Sequence, residues 1–166
     1  MKEAPRDRPS ARGLRVAIVR SLFNRPVTDG LLEGARAALA EMGAAPGRVA
    51  VFDLPGAFEL PLAARAAARS GRFDAVVALG AVIEGETDHY EHVSREAASG
   101  LAAVAREPGV PVACGVLTVR QEEQARRRAA PGPENKGAEA ARAAVMTAFT
   151  LRAIAGRRRG RGERRR

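Results

Sequence analysis

The stretch FDAVVALGAVIEGETDHYEH, residues 73–92, decides how this chain is read. Its first seven residues, Phe73–Leu79, are a short apolar run rich in valine. A run of this length reads as a strand. Because it does not alternate with polar residues, the strand should be buried on both faces, as in a parallel sheet covered by helices. Gly80 then opens a polar, glycine-containing segment, residues 80–92, that reads as a loop, and the stretch from about Val93 to Arg106 reads as a helix.

The same unit recurs on either side. Upstream, Leu14–Arg20 reads as a buried strand followed by the loop SLFNRPV. A helix is expected from Thr28, since Thr28 and Asp29 are good cap types and Leu31, Leu32, Ala35, Ala38, Leu39 and Met42 recur near helical spacing before Gly43. Arg48–Asp53 reads as a second strand stopped by Pro55-Gly56, and Phe58–Ser70 as a helix with Pro61 in its first turn. Downstream come a fourth strand, Val110–Thr118, a short helix, Gln121–Ala129, the breaker cluster Ala130–Glu134, and a long alanine-rich helix, Lys136–Ala155.

Four parallel strands with helices on both faces form a three-layer α/β/α sandwich, a single domain over residues 14–155. Ligands of such sheets bind outside the carboxyl ends of the strands. That rule selects SLFN, PGAFEL, GAVIEGETDH and the stretch after Cys114. Three of the six aromatic residues, Phe23, Phe58 and Tyr90, fall in these segments or at the helix starts beside them.

Composition narrows the function classes. A chain of 166 residues buries roughly 70% of the surface its unfolded form exposes, so no disulfide scaffold is needed. Cys114 is the single cysteine, which removes internal disulfides and cysteine-based zinc sites and fits a reducing, cytoplasmic setting. Met1–Gly13 reads as a flexible polar leader without the apolar core of a secretory signal. The formal charge of +9 belongs to the ends, because residues 16–155 balance 16 basic against 16 acidic side chains. The segment 156–166, GRRRGRGERRR, is expected to be a disordered arginine-rich tail, solvated in the simpler reading and a non-specific polyanion contact in the other. A nucleic-acid binder of this α/β architecture would rest on that terminal charge alone.

The loop chemistry is more specific. Gly80 and Gly85 would let backbone N–H groups face a ligand, and with the Thr87 hydroxyl they suit an anion. His89 is fitted to proton transfer near neutrality. His92 is spaced to share a helix face with it, but two histidines without a third ligand are a weak metal signal, and no metal is expected. Neither GxxxxGK[ST] nor GxGxxG follows the first strand. Glu59 is either a helix-end carboxylate or an acceptor for ligand hydroxyls. Phe23 is either a core plug or a stacking platform, and the run Arg126–Arg128 is either a solvated face or the source of a phosphate clamp.

Taken together, FN at 23–24, PGAFELP at 55–61, LGAVIxGxTxH at 79–89, GVLT at 115–118 and NKGAEAA at 135–141 resemble the lumazine synthase family over about Leu14–Arg152. The resemblance implies a flavodoxin-like subunit that condenses 5-amino-6-ribitylaminouracil with 3,4-dihydroxy-2-butanone 4-phosphate without metal or cofactor. It gives 6,7-dimethyl-8-ribityllumazine, phosphate and water in the penultimate step of riboflavin biosynthesis. It implies that Phe23 stacks on the pyrimidine, with Asn24, Phe58, Cys114 and Lys136 nearby. Ala57 and Glu59 would hold the ribityl chain, and the backbone at Ala81, Val82 and Ile83 would read the ring edge. Glu86, Thr87 and an Arg128 from a neighbouring subunit would meet the phosphate, and His89 would move protons.

The resemblance further implies a homopentamer or a multiple of pentamers, with sites between subunits, and leaves association with riboflavin synthase open. Four features depart from the pattern. Three are single positions: Glu84 where a basic residue is usual, Cys114 where many members have an aromatic ring, and Leu22 where arginine usually precedes Phe-Asn. The fourth is the loop Ala130–Glu134, which influences assembly in the family and here has two prolines where a glycine- and lysine-containing sequence is commoner. Glu84 and Cys114 motivate a second reading, a catalytically weakened paralogue acting as a lumazine- or flavin-binding or scaffolding shell protein.

Overall fold

The four short apolar runs become four parallel strands. In the computed structural model, which describes residues 9–107 and 109–159, these are β1 (Val16–Ser21), β2 (Val49–Leu54), β3 (Ala75–Ile83) and β4 (Val112–Val119). Their order in the sheet is β2-β1-β3-β4. Residues Val16–Val19 and Ala75–Leu79 are at most 1% exposed, the two-sided burial expected of an uninterrupted apolar strand.

Successive side chains point to opposite faces, so each central strand feeds two cores. Val16, Ile18, Val77 and Leu79 pack with α1 (Arg25–Glu41), α4 (Glu122–Ala129) and α5 (Lys136–Arg159). Ala17, Val19, Val76 and Ala78 pack with α2 (Leu60–Arg69) and α3 (His89–Ala105). This is the expected three-layer α/β/α sandwich. The strand order reverses between β1 and β3, the switch point outside which such sheets hold ligands.

Three boundaries differ from expectation in ways that matter for the site. α1 starts at Arg25 rather than Thr28, because Asn24 takes the left-handed conformation as N-cap (φ 57°) and Pro26 fits a first turn that needs no N–H from it. Thr28 is instead buried inside the helix, its hydroxyl donating to the Arg25 carbonyl. β3 continues through Gly80–Ile83, paired with β4 from Gly80↔Val116 to Ile83↔Val119. Gly80 is therefore a packing glycine, since a Cβ there would press on Leu60 Cδ1 at 3.1 Å. α3 begins at His89, four residues before the expected start.

The chain ends also depart from the expected limits. Ala11 is fully buried and donates its N–H to the Met42 carbonyl, so packing begins before Leu14. α5 runs on to Arg159 rather than stopping at Ala155. The rest of the expected leader, residues 1–8, and of the expected arginine-rich tail, residues 160–166, lies outside the described residues.

Asn135 joins the helices of one face. Its side-chain amide donates to the carbonyls of Gly30, Ala129 and Ala130, and its Oδ1 accepts the N–H of Ala138 at the start of α5. One buried side chain thereby ties α1, the end of α4 and the first turn of α5.

Candidate active site

A cleft of about 670 Å³ opens at the carboxyl ends of β1, β2 and β3. Phe23 enters it from the loop after β1, and Ala57, Phe58 and Glu59 from the turn after β2. Ala81, Val82 and Ile83 form its floor as the end of β3, and Gly85, Thr87 and His89 close the other side. Phe23 and Phe58 are 68% and 59% exposed. Large aromatic rings left this open at a concave site offer flat apolar faces to a ring-shaped ligand, which decides against Phe23 as a core plug.

Local sequence explains each placement. The Phe23 N–H donates to Ser21 Oγ, the Leu22 N–H donates to the Leu54 carbonyl, and Asn24 Nδ2 donates to the Ala81 carbonyl at 2.9 Å. Asn24 therefore braces the Phe23 loop against the cleft floor instead of lining the cleft itself. Glu59 stands at the start of α2 without a side-chain capping bond, and its half-buried side chain lines the cleft. Asp88 likewise caps α3 without a side-chain bond to its first-turn amides. The positive end of that helix dipole thus lies beside Thr87 and His89. Glu86 is exposed in the same turn but does not line the cleft.

With α3 starting at His89, the face that the spacing of His89 and His92 suggested is helical and turns to the cleft, together with Tyr90. Val93, four residues on from His89, lines the cleft as well and would have been placed on this face had the helix start been known. Among the described residues no group of three or more metal-ligating side chains gathers. Glu84 approaches Arg120 at 3.8 Å, with both side chains largely in solvent.

Cys114, Arg128 and Lys136 are elsewhere. They line a second groove, of about 710 Å³, along the open edge of β4 and α5. Arg128 also donates to the Gln124 carbonyl of its own helix, while Lys136 pairs with Glu139. In a single chain, the aromatic and histidine half of the expected site is therefore separate from its cationic half.

Residues 13–152 match the family model described as 6,7-dimethyl-8-ribityllumazine synthase. A relative carrying that name in Anaeromyxobacter dehalogenans strain 2CP-C is 55% identical over 143 residues, 86% of this chain and 88% of the relative. Another, from Anaeromyxobacter sp. strain K, is 54% identical over the same shares. The chain belongs to the 6,7-dimethyl-8-ribityllumazine synthase family. The two motifs that carry the resemblance most specifically, PGAFELP and LGAVIEGETDH, are the ones whose residues meet in the cleft of this family member.

Charged pairs lie behind the cleft, on the far face of the sheet. Hydrogen bonding to Arg20 holds Asp53 below the usual carboxylate range, against the effect of burial and with help from Arg25 and Arg36. The same bond, with the charge of Asp29, raises the guanidinium of Arg20. No described helix is both long and apolar enough to cross a membrane.

Proposed function

We propose that this chain condenses 5-amino-6-ribitylaminouracil with 3,4-dihydroxy-2-butanone 4-phosphate to form 6,7-dimethyl-8-ribityllumazine, phosphate and water. The observation that carries this reading is the meeting of Phe23, Glu59, Thr87 and His89 in one cleft of a chain from that family. The exposed Phe23 ring covers one face of the pyrimidine. The carboxylate of Glu59 accepts hydroxyl protons from the ribityl chain, and the backbone of Ala81–Ile83 meets the polar edge of the ring. Thr87 and the amide end of α3 hold the phosphate.

The chemistry needs a group that gives and takes protons near neutrality. The amine of the pyrimidine adds to the ketone and a first water leaves as the imine forms. The carbon beside the imine then loses its proton as phosphate leaves from the terminal carbon, and the ribitylamino nitrogen closes the ring on the resulting carbonyl with loss of a second water. His89, at the mouth of the cleft, exchanges protons with the nitrogen and oxygen atoms in these steps. Holding two substrates in register itself contributes several kcal/mol, so His89 supplies only part of the rate.

The site is completed between subunits of a ring, a pentamer or a multiple of it. Arg128 and Lys136 line the β4 groove and not their own chain's cleft. Among the described residues β4 is an open edge of the sheet, and Met146, Leu151 and Ile154 on α5 are exposed apolar side chains. A head-to-tail contact would cover such an edge and bring one chain's Arg128 to its neighbour's His89. A cytoplasmic setting agrees with the exposed free thiol of Cys114.

The test is appearance of the lumazine chromophore from the two substrates above the uncatalysed rate. His89→Ala should slow turnover by about 10- to 1000-fold without abolishing it. No acceleration by the unsubstituted protein, with lumazine still bound, would replace the enzyme by a binding protein.

A further inference from the structure

Arg20 lies behind the cleft, on the opposite face of the sheet from it. Its place in β1 has the parity of Val16 and Ile18, so its side chain points toward α1, and it is only 6% exposed. There it makes a forked contact with Asp53 on β2, Nε to Oδ1 at 2.8 Å and Nη2 to Oδ2 at 2.9 Å. Its remaining nitrogen, Nη1, donates to Asp29 on α1.

The position of these partners is informative. Arg20 and Asp53 are register partners at the last turns of β1 and β2, one step before the Leu22 N–H to Leu54 carbonyl bond that ends the pairing. Beyond it the chains part, one into Phe23-Asn24 and the other into Pro55–Glu59, and Phe23 and Pro55–Glu59 together form one wall of the cleft. Asp29 adds the second turn of the helix that starts at Asn24 and Arg25. One buried guanidinium thus fixes the exits of two strands and the entry of one helix. A planar fork can hold two carboxylates at fixed angles, whereas an ammonium on a flexible stem cannot.

We propose that Arg20 is a positioning residue that sets the Phe23 platform against the Ala57–Glu59 turn, and so determines affinity for the pyrimidine substrate rather than for the phosphate substrate. The assignment of substrates to the two sides rests on the function proposed above. Thr87 and His89 follow from β3 and α3; Arg20 lies beside Leu79 of β3 in the sheet, but among the described residues its side-chain hydrogen bonds and ion pairs go to β2 and α1. The phosphate side should therefore be insensitive to the loss of Arg20.

The experiment is steady-state kinetics of the assembled protein carrying Arg20→Met, Arg20→Lys or Asp53→Asn, with each substrate varied in turn. Arg20→Met should raise KM for the ribitylaminouracil about tenfold. The KM for the butanone phosphate should stay within about twofold, and Arg20→Lys should restore only part of the loss. Equal changes in both KM values, or a loss that simply follows a lower melting temperature, would overturn the proposal and leave Arg20 a purely structural staple. A second readout needs no turnover: Phe23→Trp places a single tryptophan on the platform, and acrylamide quenching should increase when Arg20→Met is added. Unchanged quenching would also overturn it. If Arg20→Met fails to assemble, Asp53→Asn and Asp29→Asn each remove one arm and are read in the same two ways. An unsubstituted protein that forms no chromophore would sink the proposed reaction, and the quenching comparison would still decide Arg20.

Discussion

Asn24 donates its side-chain amide to the carbonyl of Ala81 across 2.9 Å, joining the end of one central strand to the entry of α1 beside the other. Asn24 is also the one non-glycine residue at positive φ among the described residues. Asparagine tolerates the left-handed region better than most side chains, and here the hydrogen bond gives that backbone shape a partner.

Replacing it separates the two effects. Asn24→Gly should lose the bond but keep the backbone easy, whereas Asn24→Ala should lose the bond and strain the turn. The expected order of melting temperatures is parent, glycine, alanine, with the alanine variant destabilised by about 1–3 kcal/mol. Both should weaken the pyrimidine substrate through Phe23. An alanine variant as stable as the parent would show that the amide bond and the turn carry no weight.

A second prediction concerns the seam between α1 and α5. A Cβ on Gly137 would overlap the backbone carbonyl of Leu31, and backbone cannot move aside as a side chain can. Gly137→Ala should therefore cost about 1–3 kcal/mol, as overpacking does. Gly47 supplies the control, because open space surrounds its missing Cβ and its φ is not positive. Gly47→Ala should change stability by no more than about 0.5 kcal/mol. Equal melting temperatures for the two variants would refute the close approach of these helices.

The layers and many of the residues that line the cleft were legible in sequence because both depend on short-range patterns. Apolar runs report strands buried on two faces, and PGAFEL and GETDH sit where strand ends must lie. What was not legible depended on partners distant in sequence. Gly80 looked like a ligand-facing loop residue because nothing local reveals that β4 extends the pairing of β3 to Ile83. Asn24 was expected to touch substrate, but its amide is taken by Ala81, 57 residues away. Arg20 was read simply as the end of a strand, since its charge acquires meaning only beside Asp53 and Asp29. The α3 start was placed four residues late because the polar GETDH stretch reads as loop, although the spacing of His89 and His92 already fitted one helix face, to which Val93 also belongs.

Stability should respond to acid in a definite direction. Asp53 is lowered chiefly by its bond to Arg20. For Asp74 burial acts to raise the pKa, but the backbone N–H and guanidinium of Arg15, with Arg152 on α5, outweigh it and bring the carboxyl below its ordinary value. A carboxylate whose folded pKa lies below its unfolded one adds stability above the unfolded value, about 3.9, and that contribution is lost as pH falls through the folded pKa. Melting temperature should therefore vary little on this account between neutrality and about pH 5, and fall below about pH 4. Asp74→Asn should melt lower than the parent at pH 7, with the gap closing in acid. A gap that is constant with pH would remove Asp74 from the acid response.

The separation of His89 from Arg128 gives the last prediction, which tests the proposed site between subunits. If a working site takes His89 from one chain and Arg128 from its neighbour, His89→Ala and Arg128→Ala oligomers should each be impaired when pure. In rings assembled from an equal mixture, however, some interfaces place an Arg128→Ala chain, which still has its histidine, beside a His89→Ala chain, which still has its arginine. With random assembly about a quarter of the interfaces have that orientation, so mixed rings should regain roughly a quarter of parental activity. Were both residues to act within one chain, every chain in the mixture would remain defective. Activity would then equal the average of the two pure variants, however thoroughly the subunits exchanged.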